Sequence, residues 1–489
     1  MSPPRRSLRS RAIRASFWRI GVYASNKVLR VLSNVVLAGL LSPAAFGLVA
    51  LSDIIIRGLN MFSEIGIGPA IVQSRRGDDR TFLNTAWTMQ VVRGFVLLLG
   101  ALALALPMAH LYEEPRLRLI LPVAALGVLI AGFQSTSWFT LNRKLAEGRR
   151  ATLEFVRALV TRGTMVAIAL IWPDVWALII GTLLGTLIFT IATHRLIPGL
   201  RNRFAWDRDC AREIIHFGGW IFIGTVIAFF SQQADRLLLG KIETLSAVDA
   251  ISVLGVYSQA LAIAVLPKEF ANMLGQNVLF PVLSEMVRQD PHRFAERVRR
   301  VRAVVLNLGV VTTLGVVAGA PIFFEVLYDS RYHDATWIAP LAVITSWIAL
   351  LNATPNKALL SLALTRPLAL AGLIRLIATV SACLLGLHIG RGLGYPLGGF
   401  ILGTSVGVLI PHLYETFVLQ RRGISLISQD VRYTISLALA SACVIAGDRL
   451  VAPHGSDVSS VAMRVLVVGG IAGVFCLLPL RAVMREFRR

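Results

Sequence analysis

The chain has 489 residues, 55% hydrophobic and only 16% charged, with a mean hydropathy of +0.69. A soluble domain is nearer a quarter charged, so a soluble globular protein is excluded. The formal net charge is +22, which in a soluble chain would suggest nucleic acid; here the charge falls between apolar runs and marks one side of a membrane.

Apolar runs of about 20 residues recur along the chain, each long enough to cross a bilayer as a helix. They are continuous rather than alternating, which excludes a β-barrel. The first run has no small-residue cleavage site after it and is expected to be a retained span. Spans are predicted at 18–41, 46–66, 85–109, 120–141, 153–172, 175–193 and 217–239, and again at 253–279, 304–327, 337–360, 368–387, 397–419, 433–446 and 461–480. This predicts an all-α integral membrane protein of about fourteen helices in two pseudo-symmetric bundles of seven. About 33 of the Lys and Arg fall on one side and about six on the other. The richer side holds the N-terminus, Arg75-Arg76, Arg149-Arg150, the stretch 195–212, the stretch 288–302 and Arg421-Arg422. Both termini are therefore expected on the cytoplasmic side. The predicted divisions are a basic N-terminal segment (1–17), a six-helix region (18–194), an amphipathic cytoplasmic linker (195–216), second-copy helices (217–419), and two further helices with a basic tail (420–489).

The first helix carries Tyr23, Asn26, Lys27, Arg30, Ser33 and Asn34 at helical spacing, so they share one face. Lys27 and Arg30 lie about 14 and 18 Å along it, near the midplane. The second helix repeats the pattern with Asp53, Arg57, Asn60 and Glu64. Arg162 and Arg375 stand mid-helix in the fifth and eleventh spans. Basic side chains at membrane depth are expensive, at about 2.5–3.5 kcal/mol each on the lenient scale, so they mark either a ligand path or a structural ion-pair network. Arg93, Arg236, Lys357 and Arg464 lie close enough to helix ends to snorkel. Asp53, Glu64 and Asp235 are candidates for holding a coupling ion, or else partners of the basic stripe. Glu154, Glu325 and Glu415 read as membrane-edge residues without a role. Pro69, after Gly66-Ile-Gly68, and Pro267 interrupt helices and are proposed hinges.

The seventh and eighth spans organise the second half. Ser231-Gln232-Gln233-Ala234-Asp235-Arg236 leads through an apolar run to Gly240-Lys241. Leu254-Gly255-Val256-Tyr257-Ser258-Gln259-Ala260 follows, then a long helix with Pro267, Lys268, Asn272 and Gln276. Phe280-Pro281-Val282-Leu283-Ser284-Glu285 and Gln289-Asp290-Pro291 close it. The N-terminal part offers a weaker copy: Trp18 stands for Trp220, Phe46-Gly47-Leu48 for Leu254-Gly255-Val256, and Gly68-Pro69 for Phe280-Pro281. The offset drifts from about 202 to about 212 residues. Two related halves are a transporter signature.

These motifs resemble the polysaccharide transporters of the multidrug/oligosaccharidyl-lipid/polysaccharide exporter superfamily. Glu285 departs from the pattern, where relatives often carry a basic residue. The resemblance implies a flippase for undecaprenyl-pyrophosphate-linked oligosaccharide repeat units, working by alternating access for exopolysaccharide, capsule or O-antigen synthesis in the bacterial inner membrane. Read with the resemblance, Lys27, Arg30, Arg57, Lys268, Asn26, Asn60, Asn272, Arg162 and Arg375 form a cationic cavity for the pyrophosphate and sugar, since Arg and Lys are natural phosphate ligands. No enzymatic residue, metal or cofactor is expected beyond H+ or Na+ as coupling ion. The expected partners are the bilayer and the lipid-linked oligosaccharide, with a polymerase and chain-length or export proteins as further candidates. No nucleic acid is expected, and a monomer is favoured. The rival readings are a peptidoglycan lipid-precursor flippase, a drug/cation antiporter of the same superfamily, and a membrane glycosyltransferase or polymerase. The basic cavity argues against cationic drugs, and the short loops argue against the last. Cys210, Cys383, Cys443 and Cys476 have no paired spacing.

Overall fold

A computed structural model describes residues 8–64, 66–143, 147–197, 199–218, 222–241, 249–451 and 458–488. Residues 1–7 of the basic N-terminal segment, Lys144 and Trp220 lie outside the described residues, as do the side chains of Trp18 and Tyr23. Among the described residues every regular element is helical. Within the described residues nine helices are long and apolar enough to cross a membrane, and up to eleven spans result if each of two bent pairs counts as one. The chain divides into two compact units, 1–229 and 230–489.

In the first unit, α1 (Leu8–Leu40) and α2 (Pro43–Phe62) are separated by Ser42, whose hydroxyl accepts the Ala45 N–H while Pro43 starts the helix. A left-handed Gly66, φ 73°, then opens the short α3 (Ile67–Gln73). Next come α4 (Arg80–Leu111), α5 (Leu117–Gly132), α6 (Ser137–Arg143), α7 (Glu147–Ile171), α8 (Val175–Thr193) and α9 (Arg208–Gly218). The α7–α8 packing is close: a Cβ at Gly185 would meet Thr161 Oγ1 at 1.9 Å. Cys210, Ala211 and Ile214 of α9 join an apolar cluster with Ile71, Phe82 and Ala86, while Asp209 and Arg212 face out. The unit boundary falls inside α10 (Phe222–Leu239).

The predicted single span 120–141 is corrected: it is two helices, α5 and α6, bent by 59°. The cause is polar and distant in sequence. Gln90 on α4 donates from its amide to the carbonyls of Ala131, Gly132 and Gln134, at 3.2, 3.0 and 3.1 Å. Ser135 donates from Oγ to Asn202 Oδ1 (2.7 Å), and its amide donates to Thr193 Oγ1 (3.0 Å). These bonds replace the helical ones lost at the break, as apolar surroundings require.

In the second unit, α11 (Ala250–Ala264) and α12 (Leu266–Leu274) meet at a 46° bend. The predicted span 253–279 is thus also broken, with Pro267 in the first turn after the bend. A five-residue π-helical segment, Gly275–Leu279, leads into α13 (Phe280–Gln289). The remaining helices are α14 (Phe294–Leu327), α15 (Ala335–Ser361), α16 (Thr365–Gly392), α17 (Pro396–Gln420), α18 (Ile427–Val451) and α19 (Val458–Arg488). Helices α16 and α17 form a tight hairpin, in which a Cβ at Gly399 would sit 2.1 Å from the Gly386 carbonyl oxygen.

Candidate functional site

The first unit brings four of the predicted polar residues together. Packing of α1 against α7 sets Arg162 beside Asn34, with its NH1 donating to Asn34 Oδ1 at 3.2 Å. Arg162 lies within electrostatic reach of Arg30 and of Asp53 on α2. Asn26 and Lys27 are half-buried on the same face of α1, and Asn26 Oδ1 accepts no hydrogen bond among the described residues. Arg57 is exposed. A cavity of about 220 Å3 between α2, α5, α7 and α8 is lined by Ser52, Asp53, Asn60, Arg157, Thr182 and Thr186.

Other residues of that stripe are engaged where α2 ends. Arg93 was read as a snorkelling side chain, but it reaches across from α4 and donates to the Asn60 carbonyl (2.7 Å) and Ser63 Oγ (3.0 Å). Its guanidinium is 3.4 Å from the Glu64 carboxylate, whose other role is to accept the Gly66 N–H at 3.0 Å. Asn60 donates to its own helix, at Ile56 O. Arg93 and Glu64 together satisfy the backbone groups freed between α2 and α3. Pro69 lies within α3, just after that break.

The second unit forms its own cluster. Lys268 on α12 is within electrostatic reach of Arg375 on α16, and of Asp235, Arg236 and Glu269. Asp235 accepts the Tyr257 hydroxyl at 2.9 Å. Arg375 lies near Asp235 and Glu415, and its buried Nε has no hydrogen-bond partner among the described residues. Asn272 and Gln276 are exposed.

Two acids and a further arginine depart from the sequence reading. Glu415 is 3% exposed on α17. Asn352 and Asn356 of α15 donate to its Oε1 at 3.5 and 3.4 Å, while its buried Oε2 has no hydrogen-bond partner among the described residues. His412 lies 3.2 Å from both Asn352 Oδ1 and Asp430 Oδ2. Asp430 in turn pairs with Arg302, which is 0% exposed and also donates to Leu351 O at 2.9 Å. Glu325 is likewise engaged: it and Asp448 together hold Arg464, which is 5% exposed and so does not snorkel. The signal available in the sequence was the i, i+4 pair Asn352/Asn356 and the i, i+3 pair His412/Glu415 inside apolar runs.

Two units of long apolar helices, each gathering basic side chains inside its span region, define a multi-pass membrane protein of transporter architecture. Comparison with known proteins agrees. The solved lipid II flippase MurJ, in an inward closed conformation, superposes with a TM-score of 0.69 at 14% identity, over 95% of this chain and 99% of that one. An inward-facing multidrug resistance MATE transporter superposes with a TM-score of 0.63 at 14% identity, over 83% of this chain and 98% of that one. At such identities the likeness is one of fold. By sequence, the lipopolysaccharide biosynthesis protein WzxC of Escherichia coli (strain K12) is 22% identical over 72% of this chain and 69% of its own length. The succinoglycan biosynthesis transport protein ExoT of Rhizobium meliloti (strain 1021) is 25% identical over 65% of this chain and 63% of its own. The chain thus spans about two thirds of the length of these curated relatives. The family model described as "Polysaccharide biosynthesis protein" matches residues 36–336, more than half of the chain. The chain belongs to that family of multi-pass proteins of the bacterial inner membrane.

Proposed function

We propose that this protein is a flippase that moves undecaprenyl-pyrophosphate-linked oligosaccharide repeat units across the inner membrane, for exopolysaccharide, capsule or O-antigen synthesis. The observation that carries the reading is the presence of a basic cluster in each unit: Arg30 with Arg162 in the first, Lys268 with Arg375 in the second. A diphosphate is the ligand chemistry such groups suit in a low-dielectric site. Relatives named for lipopolysaccharide biosynthesis and succinoglycan transport support the substrate class. The proposal takes α1, α7 and α10 as spans beside the nine apolar helices and two bent pairs, fourteen in all, and puts both termini on the cytoplasmic side.

In the mechanism we propose, alternating access presents the basic residues of a cationic cavity to one face and then the other while the polyprenyl tail stays in lipid. The bends at Pro267 and at Gly66–Pro69 act as hinges. H+ or Na+ couples the cycle through Asp53 and Asp235; Glu64, the third candidate, is engaged with Arg93. The likeness of the fold to a lipid II flippase supports a second reading, translocation of a peptidoglycan lipid precursor. Complementation separates the two. A deletion strain restored with wild type is expected to make surface polysaccharide. Arg30→Ala or Lys268→Ala, at matched membrane levels, is expected to lose polymer and accumulate lipid-linked repeat unit on the cytoplasmic leaflet. Normal polymer in the deletion strain rejects the polysaccharide reading and favours the second.

A further inference from the structure

A second basic site lies in the first unit, away from the clusters above. Residues 199–207, which form no helix, run along the end of α4 that begins at Arg80. Every second amide is tied to that helix. The Arg203 N–H donates to Asn84 Oδ1 (3.1 Å), that of Ala205 to Thr88 Oγ1 (3.1 Å) and that of Asp207 to Thr85 Oγ1 (3.2 Å). Asn202 is fixed as well, since its amide bonds with Ser135 and Thr136 at the α5–α6 break. The strap is therefore held in one conformation rather than hanging as a loose linker.

A cavity of about 390 Å3 opens between the strap and α4, and Arg80, Arg201 and Arg203 line it. Among the described residues none of the three makes an ion pair. The one acid in the lining, Asp78, is held by Arg143 at 3.1 Å. Next along the strap, Phe204 and Trp206 are 66% and 59% exposed, and Phe204 packs on Trp87 with ring centroids 4.8 Å apart. Exposed aromatic rings beside free guanidinium groups are the composition of a membrane–water interface that contacts anionic lipid.

We propose that this cavity binds the phosphodiester head group of an anionic membrane lipid, with Arg80, Arg201 and Arg203 on the phosphate and Phe204 and Trp206 at the level of the interface. The phosphate chemistry alone would also suit free inorganic phosphate. The two exposed rings favour the lipid. The site stands whether or not the transport reading holds.

The test uses the full chain, delipidated in detergent, with phosphatidylglycerol, phosphatidylethanolamine or inorganic phosphate added, and bound molecules counted by native mass spectrometry. Wild type is expected to retain phosphatidylglycerol in preference to phosphatidylethanolamine. R201A/R203A should weaken that retention by about tenfold or more, the usual loss for charge-assisted bonds to phosphate. R421A/R422A removes as much charge from the second unit without touching the cavity and should retain the lipid. R201K/R203K keeps the charge and should hold the lipid better than the alanine pair, which guards against a variant that merely misfolds. Equal loss in both alanine pairs, or no loss in R201A/R203A, overturns the proposal. Occupancy by inorganic phosphate with no retained lipid overturns the lipid assignment.

Discussion

The two units handle buried charge differently. In the second, Arg302, Asp430, His412, Asn352 and Glu415 form a continuous run of hydrogen bonds. Arg375, beside it, contributes an Nε with no hydrogen-bond partner among the described residues and sits near a second cation, Lys268. In the first unit the well-bonded polar groups, Gln90, Arg93 and Arg143, sit where helices break or end, satisfying backbone carbonyls. The Arg30–Arg162 cluster stands apart from them and has one carboxylate, Asp53, within reach. Under the proposed function, the contrast separates charge whose bonds are complete, which serves stability, from like charges gathered at membrane depth, which serve a ligand.

The sharpest way to break the comparison is at the satisfied end. Arg302→Met leaves the partly buried Asp430 beside His412 without its cation, and is expected to destabilise by about 3 kcal/mol, read as a large fall in the thermal unfolding midpoint in detergent. A midpoint equal to wild type would show that this run is not structural. In the first unit, Gln90→Leu strips three carbonyls at the α5–α6 break and should destabilise by about 1–3 kcal/mol, with the bent region exchanging amide hydrogens faster.

A smaller effect is expected outside the spans. Arg116 bonds twice to Glu114 and holds its carboxyl below the usual carboxylate range. A carboxyl depressed in the folded state adds stability that is present above its unfolded value near 4.3 and lost as pH falls through its folded value. Glu114→Gln should therefore lower stability at pH 7 by less than about 1 kcal/mol, since Arg116 is half exposed. The deficit should shrink as the pH falls below about 4, as paired melts across pH would show. The smallest stability effect is expected at Arg375→Met, which should leave the midpoint close to wild type: loss of a buried Nε that has no hydrogen-bond partner among the described residues, and of a like-charge neighbour of Lys268, offsets the lost attraction to Asp235 and Glu415. Export should nevertheless be lost. Loss of both stability and export would assign Arg375 a structural role.

Much of this was legible in the sequence. Long apolar runs give membrane helices because the bilayer admits little else, and the mid-helix positions of Arg162 and Arg375 were visible at once. The breaks were legible only in part. Pro267 announced the bend beside it. The α5–α6 break rests on Gln90, about forty residues away, and no local pattern reports which distant side chain will take over a carbonyl. Glu415 and Arg464 failed for a different reason. Near a helix end, sequence cannot tell a snorkelling charge from one covered by a neighbouring helix; here α15 covers the first, and Asp448 and Glu325 hold the second.

The most direct test is translocation by the purified protein. Reconstituted into vesicles with a diphosphate-linked oligosaccharide lipid, wild type should move the sugar to the far leaflet, read by its exposure to an added lectin. Arg162→Ala and Arg375→Met should each abolish that movement while their melting midpoints stay at wild type. Movement at the wild-type rate in both variants would contradict the assignment of the two basic clusters to the substrate's path.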